Sequence, residues 1–377
     1  MNLVYLANVN LPDDWAHSVQ IMKMCEAFSV NGINVTLVAP YRNLPVKDDI
    51  FNYYKIKPIF RIVRVPCIDL FQQNPRAIFF WIRYITFMIS ARLYLFFVKY
   101  DVLYTRELYA GLFWGSVFIE LHSLPKQIND FKKYILRKAS GLIGLTSFIK
   151  SRLLDLGINS NKIFIAHDAV RQEDFPRDIS VGEARGKLGL DKAGHIFGYI
   201  GTLRTMGMEK GVSTAIDALQ FLPESYKLYI VGGEVQDIEY YKSYSQTKNL
   251  VSRVIFAGKV PHADIPMYIG ACDVVVAPFP ANEHYSYYMS PLKIFEYMAS
   301  KRPMVVTDLP SLNEILVREK TALFVAPEDY KGLGEAIKRL VEDKALSLRL
   351  SDGAYQEMLA KYTWEQRAKN IVEFMTK

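Results

Sequence analysis

Cysteine is scarce in this chain, with three among 377 residues. Cys25, Cys67 and Cys272 are far apart and odd in number, which argues against a disulfide framework or zinc cluster and for a reducing compartment. Charge is also sparing, at 23% of residues, while half the residues are apolar. That balance excludes a disordered chain and is ample for two buried cores. No G-x-G-x-x-G follows either opening strand, so a nicotinamide dehydrogenase is disfavoured. There is no Walker A sequence and no G-x-S-x-G hydrolase elbow. His262 and Asp264 are too isolated to count as metal ligands, and no metal site is expected. The opening "MNLVYLANVN" lacks a basic leader and a small-residue cleavage site, and reads as a first strand instead of a signal peptide. The most apolar segment, residues 75 to 100, is interrupted by Arg83 and Arg92, each costly at bilayer depth. A buried helix with snorkelling arginines is expected there, and rest on a membrane surface is the alternative.

What is present is an alternation of strands and helices, over a length that suggests two domains. "LVYLA", "INVTLVAP", "DVLYTR", "VFIELH", "GLIGLT" and "KIFIAH" read as strands of a first unit. After a polar stretch, residues 171 to 194, the pattern restarts with "HIFGYIG", "YKLYIVGG", "RVIFAG", "DVVVAPF", "RPMVVT" and "ALFVA". The economical reading is two doubly wound α/β units in tandem, with ligands at the carboxyl ends of the strands, in a cleft between the units. The first unit is expected over residues 1–170 and the second over 171–357. The tail is helical, and a last helix at about 358–377 is free to pack back on the first unit. The net charge of +7 is uneven: residues 1–170 hold 20 Lys and Arg against 12 Asp and Glu, and the remainder is close to neutral. A basic first half fits anionic lipid, nucleic acid or an anionic substrate, with ordinary solvated charge as the bland alternative.

Two stretches of the second unit carry chemistry. In "FGYIGTLRTMGMEKGVSTAI" a strand ends at Gly201, and Thr202, Arg204 and Lys210 precede Gly211 and a helix. Cations on a strand-to-helix loop suit a diphosphate. In "SPLKIFEYMASKRPMVV" the spacing predicts a helix capped by Ser290, with Pro291 in its first position. The free backbone N–H groups near Ser290 to Leu292 would face a phosphate. Glu296, near two turns further in, suits the paired hydroxyls of a ribose. Lys293 is left open between a site role and a surface pair with Glu296.

Together with "YIVGG", "VIFAGKVPHADIPMYIGACDVVVAPF" and the late "YTWEQRA", these stretches resemble the donor domain of retaining glycosyltransferases of family 4, which have the GT-B fold. The first half is similar more loosely, through "HSVQIMKMCEAFSVNGINVTLVAP", "ELHSLP", "GLIGLTSFIKSRL" and "HDAV". The resemblance implies two Rossmann-like domains facing a central cleft. It implies transfer of a sugar from a nucleoside diphosphate donor, with retention and without a required metal or other cofactor. Lys210 would bind the diphosphate and Arg204 would join it, although the family places its Arg directly after the strand's Gly, where this chain has Thr202. Glu296 matches the second Glu of a Glu-x7-Glu motif, and His122 matches a His that approaches the donor sugar. The first Glu of that motif falls on Tyr288, so the sugar must be held differently, by Glu283, by Tyr287 or Tyr288, or by backbone amides. The implied acceptor is a glycan or lipid-linked glycan of surface polysaccharide synthesis, with no nucleic acid partner. The expected location is cytoplasmic, with peripheral contact at the inner face of the cell membrane through the basic half. Two rival readings remain: a sugar-nucleotide epimerase of the same architecture, and a non-catalytic protein that binds a nucleotide sugar or glycan.

Overall fold

A computed structural model describes residues 1–13, 15–42, 49–71, 76–176 and 179–377. Pro75, which opens the apolar segment, and residues 177–178 of the polar stretch lie outside the described residues. The chain divides into two compact units, one of Met1–Asp168 with Trp364–Lys377 and one of Ala169–Thr363.

The first unit is built on seven parallel strands: β1 (Asn2–Leu6), β2 (Asn34–Pro40), β3 (Arg61–Val65), β4 (Val102–Thr105), β5 (Ser116–Leu121), β6 (Gly141–Gly144) and β7 (Ile163–Ile165), in the order β3-β2-β1-β4-β5-β6-β7. The order reverses between β1 and β4, as in a doubly wound sheet. Central strands such as β4 and β6 are buried throughout, because helices cover both faces. Edge strand β3 is half-exposed and alternates Arg61 and Arg64 with apolar residues, which weakens it as a sequence signal.

The expectation of a buried helix over residues 75 to 100 is corrected. The helix Ala77–Phe97 forms, but it buries only Tyr84, Phe87, Met88, Ala91 and Leu95. Arg83 lies 4.6 Å from the centre of the Phe71 ring and Arg92 lies 4.2 Å from that of Trp114.

The second unit has six parallel strands: β8 (His195–Ile200), β11 (Tyr226–Val231), β12 (Val254–Gly258), β13 (Val274–Ala277), β14 (Met304–Thr307) and β15 (Leu323–Val325), in the order β12-β11-β8-β13-β14-β15. Between β8 and β11 a small antiparallel hairpin, β9 (Arg204–Thr205) and β10 (Met208–Glu209), turns through Met206 and Gly207, both at positive φ. One apolar core lies on each face of the sheet. Val275, Ile294, Phe295 and Tyr297 belong to one, and Tyr199, Leu203, Val212 and Ile216 to the other. The crossover point lies between β8 and β13, so both chemistry-bearing stretches leave the sheet side by side at its carboxyl edge.

Candidate functional site

In the second unit the loop after β8 is held in place by glycines. Gly201 has φ +133°, and a Cβ there would come within 3.2 Å of the Lys293 Nζ. Gly211 has φ +83°, and a Cβ would sit 1.7 Å from the Pro278 carbonyl oxygen at the end of β13. No other residue fits that contact. Tyr285 donates to the Met208 carbonyl at 3.3 Å, and the Ile200 N–H donates to the Tyr297 hydroxyl at 3.0 Å. The hairpin, the loop after β13 and the helix that follows are thus bonded into one rim.

The structure brings Gly201, Thr202, Lys210 and Lys293 together on that rim. Lys210 donates from Nζ to the Thr202 hydroxyl at 2.7 Å, and desolvation draws its pKa down to about 8. Lys293 is buried, and its Nζ has no hydrogen-bond partner among the described residues. It lies 3.7 Å from the centre of the Tyr199 ring and 5.4 Å from that of Phe279. Burial first, and then the Lys210 charge, hold its pKa well below the usual lysine value, with Glu296 opposing. A buried ammonium without a hydrogen bond is costly, and an aromatic face returns only about 2 kcal/mol. An anion between Lys210 and Lys293 would relieve both the burial and the repulsion.

The remaining residues take other positions. The expected helix start is corrected: the helix is Leu292–Ala299, Pro291 is its N-cap, and Ser290 precedes the cap. Proline locks φ at the cap, so the free N–H groups begin at Leu292. Glu296 is not paired with Lys293 across the surface. Its Oε1 lies 3.1 Å from Nε2 of His262, a residue set aside as isolated in sequence because 34 positions separate them. Arg204 is engaged elsewhere, with Nε 3.4 Å from Asp237 and its guanidinium 4.7 Å from the centre of the Tyr240 ring. Tyr288 is buried on a π-helical turn, His284–Tyr288, while Glu283 is half-buried at the cap of that turn and Tyr287 is exposed. Among the described residues no three His, Cys, Asp or Glu side chains gather as for a metal ion.

In the first unit His122 follows β5. Its Nε2 lies 2.6 Å from Glu120 Oε1, and an ionised carboxylate only accepts, so Nε2 carries the proton and Nδ1 is bare. Burial, reinforced by Arg106, brings its pKa down to about 4. Burial alone would raise the Glu120 pKa, but Arg367 and His122 outweigh it and hold the carboxyl well below its usual range. Arg367 Nη2 is 3.2 Å from Glu120, and the same guanidinium donates to the backbone carbonyls of His167 and Ala166. Gln20 donates to both Glu120 and Asp168 while accepting from Arg106. Asp168 is pushed up to about 7 by burial and by Glu120, against Arg367. Beside this network a cavity of about 220 Å³ is lined by Arg106, Glu120, His122, Ser123 and Lys132 among others.

Residues 194–343 match the model of the family described as glycosyl transferases group 1. A glycogen synthase of Mycobacterium tuberculosis is 22% identical over 249 residues, 64% of this chain and 55% of that protein. A lipopolysaccharide core biosynthesis mannosyltransferase of Rhizobium meliloti is 24% identical over 250 residues, 64% of this chain and 66% of its own. The chain spans a little over half the length of most curated relatives it matches. Among solved structures, a sucrose-phosphate synthase from Thermosynechococcus elongatus superposes with a TM-score of 0.77 at 20% identity, covering 100% of this chain and 98% of its own. An Anabaena protein, HepE, solved with UDP and glucose, gives 0.74 at 16% identity, covering 100% and 99%. The fold is therefore GT-B, two Rossmann-like α/β domains. The resemblance to glycosyl transferases group 1 thus lies over the second unit, which holds the hairpin, the loop after β13 and the helix Leu292–Ala299.

Proposed function

We propose that the chain is a retaining glycosyltransferase of family 4 that moves a hexose from a nucleoside diphosphate donor to a glycan or lipid-linked acceptor in surface polysaccharide synthesis. The observation that carries this reading is the buried, unpartnered Lys293 ammonium facing Gly201 beside Lys210 at the crossover point of the second unit. Two cations held apart by burial, next to the N-terminus of a helix, suit a diphosphate and little else.

In the proposed reaction the bond between the sugar's anomeric carbon and the β-phosphate oxygen breaks, and charge grows on that phosphate. Lys210, Lys293 and the Leu292 amide stabilise it. The acceptor hydroxyl attacks on the same face of the sugar, and the departing phosphate takes its proton, which retains the anomeric configuration. Arg204 reaches the phosphate by leaving Asp237. Glu296 holds the ribose, with His262 fixing one carboxylate oxygen and leaving the other for the hydroxyls. Neutral His122 offers Nδ1 as an acceptor to a hydroxyl of the donor sugar. Arg106 and Lys132 give its cavity the charge to receive an anionic acceptor. No metal is required, and the enzyme works in the cytoplasm at the inner face of the membrane.

The non-catalytic reading keeps one observation in its favour, the buried Tyr288 where relatives of the family carry a carboxylate. Incubation with UDP-glucose and other nucleotide sugars, with and without EDTA, separates the readings. Release of free nucleoside diphosphate supports the transferase, a changed sugar supports an epimerase, and binding without turnover supports a non-catalytic role. Lys210→Ala and Glu296→Ala are each expected to lower turnover about 100-fold while the protein stays folded. Full activity in both variants sinks the site.

A further inference from the structure

The helix Ala77–Phe97 leaves an apolar stripe uncovered. Ile78, Trp81, Ile85, Ile89, Leu93 and Phe96 recur at intervals of three and four, so they form one line along the helix. Each is between 46% and 69% exposed. The opposite face is anchored in the first unit's core by Phe87, Ala91 and Leu95.

The stripe does not end with the helix. Trp81 packs edge-on against Tyr109, whose ring meets Phe131 at 6.4 Å. Phe131 and Tyr134 are themselves more than half exposed, as is Trp114. Phe131 and Tyr134 belong to the basic helix Asp130–Lys138, which carries Lys132, Lys133, Arg137 and Lys138. From Arg76 to Lys138 the chain has ten Lys or Arg against four Asp or Glu. A line of exposed aliphatic and aromatic side chains about 30 Å long is more than a monomer surface ordinarily carries.

We infer that this face docks the first unit on an anionic bilayer, with the helix Ala77–Phe97 lying in the plane of the headgroups. Charge selects this occupant over a second copy of the chain. A symmetric dimer would press two basic surfaces together, whereas anionic lipid neutralises them. Trp81 and Trp114 have the amphipathic rings that settle at the headgroup level. The cavity beside His122 shares Lys132 with the basic helix, so an acceptor held by its lipid would be presented close to that cavity. The inference itself does not depend on the transferase reading, because vesicle binding requires no donor.

The test is co-sedimentation of the full chain with vesicles of zwitterionic lipid alone or with about 30% phosphatidylserine. Binding to the anionic vesicles is expected, about ten-fold weaker without the anionic lipid or at high salt, and about ten-fold weaker again in I85E/I89E. Both positions are exposed, so the double variant should keep the native Tm and its response to UDP. A measurement on the native chain stands beside it: lipids brominated on the acyl chains should quench tryptophan fluorescence, and Trp81→Phe should remove much of that quenching. Failure of the native chain to bind anionic vesicles overturns the inference, as does undiminished binding by I85E/I89E or an absence of quenching. A native dimer that I85E/I89E dissolves, without vesicle binding, overturns it in favour of a second copy.

Discussion

The two units bury charge in opposite ways. In the first, the buried Glu120 carboxylate meets Arg367, His122 and Gln20, and Arg367 completes its own bonding on two backbone carbonyls. In the second, the buried Lys293 ammonium meets two aromatic rings and, among the described residues, no acceptor. A satisfied network holds a shape, here by tying the segment Trp364–Lys377 to β5. A lone buried cation adds nothing to stability, so its persistence points to a ligand present only part of the time.

The largest effect should come from breaking the satisfied side. Arg367→Met removes the countercharge from a fully buried carboxylate and leaves two carbonyls unpaired. A loss of about 3–5 kcal/mol is expected, read as a lowered urea midpoint of the first unit. A variant as stable as the native chain would mean that Glu120 takes up a proton at little cost, and the contrast between the units would fail.

Lys293→Met makes the opposite bet at the same depth. Methionine matches the stem and removes an uncompensated charge, so the ligand-free protein should be as stable as the native chain or more so. Affinity for UDP should fall about 10- to 100-fold, the worth of one charged hydrogen bond of about 1.5–3 kcal/mol. Thermal shift with and without UDP reads both quantities. A variant that loses stability while keeping its affinity would make Lys293 a structural residue and remove the main support for the donor site.

Much of this contrast was hidden from the sequence for reasons of distance. The strands were legible because fully buried parallel strands such as "DVVVAPF" and "GLIGLT" are apolar runs with few rivals. β3 escaped because Arg61 and Arg64 break its run at a sheet edge, and the β9–β10 hairpin because two-residue strands carry no period. Lys210 and Glu296 stood out because helix-start and strand-end positions are local features. The partners that give the sites meaning are not local. Glu120 and Arg367 are 247 positions apart and meet because the segment Trp364–Lys377 returns to the first unit, while Glu296 and His262, 34 apart, meet because they lie on loops and helices after different strands of the second sheet. The exposed face of the helix Ala77–Phe97 was misread for a related reason. Apart from Arg83 and Arg92 its sequence is apolar on most sides, and which side faces the core is decided by what it packs on.

The smallest effect is a pH dependence of opposite sign for stability and for binding. Lys210 has a pKa of about 8 in the folded protein against 10.5 as an ordinary lysine. Between those values the unfolded chain binds more protons, so the ligand-free second unit should gain stability as pH rises from about 8 to about 10.5, and lose it on the way down. UDP affinity should run the other way, because the amine that meets the diphosphate is losing its charge over that same interval. Binding should also take up protons, since a phosphate beside Lys293 opposes the burial and the Lys210 charge that hold its pKa well below the usual lysine value. Calorimetric titrations of UDP in buffers of different ionisation enthalpy count those protons. Uptake that vanishes in Lys293→Met would place the titrating group at the buried cation. Uptake unchanged in that variant would move it elsewhere, and the second unit would then bury its cation for shape, as the first buries its carboxylate.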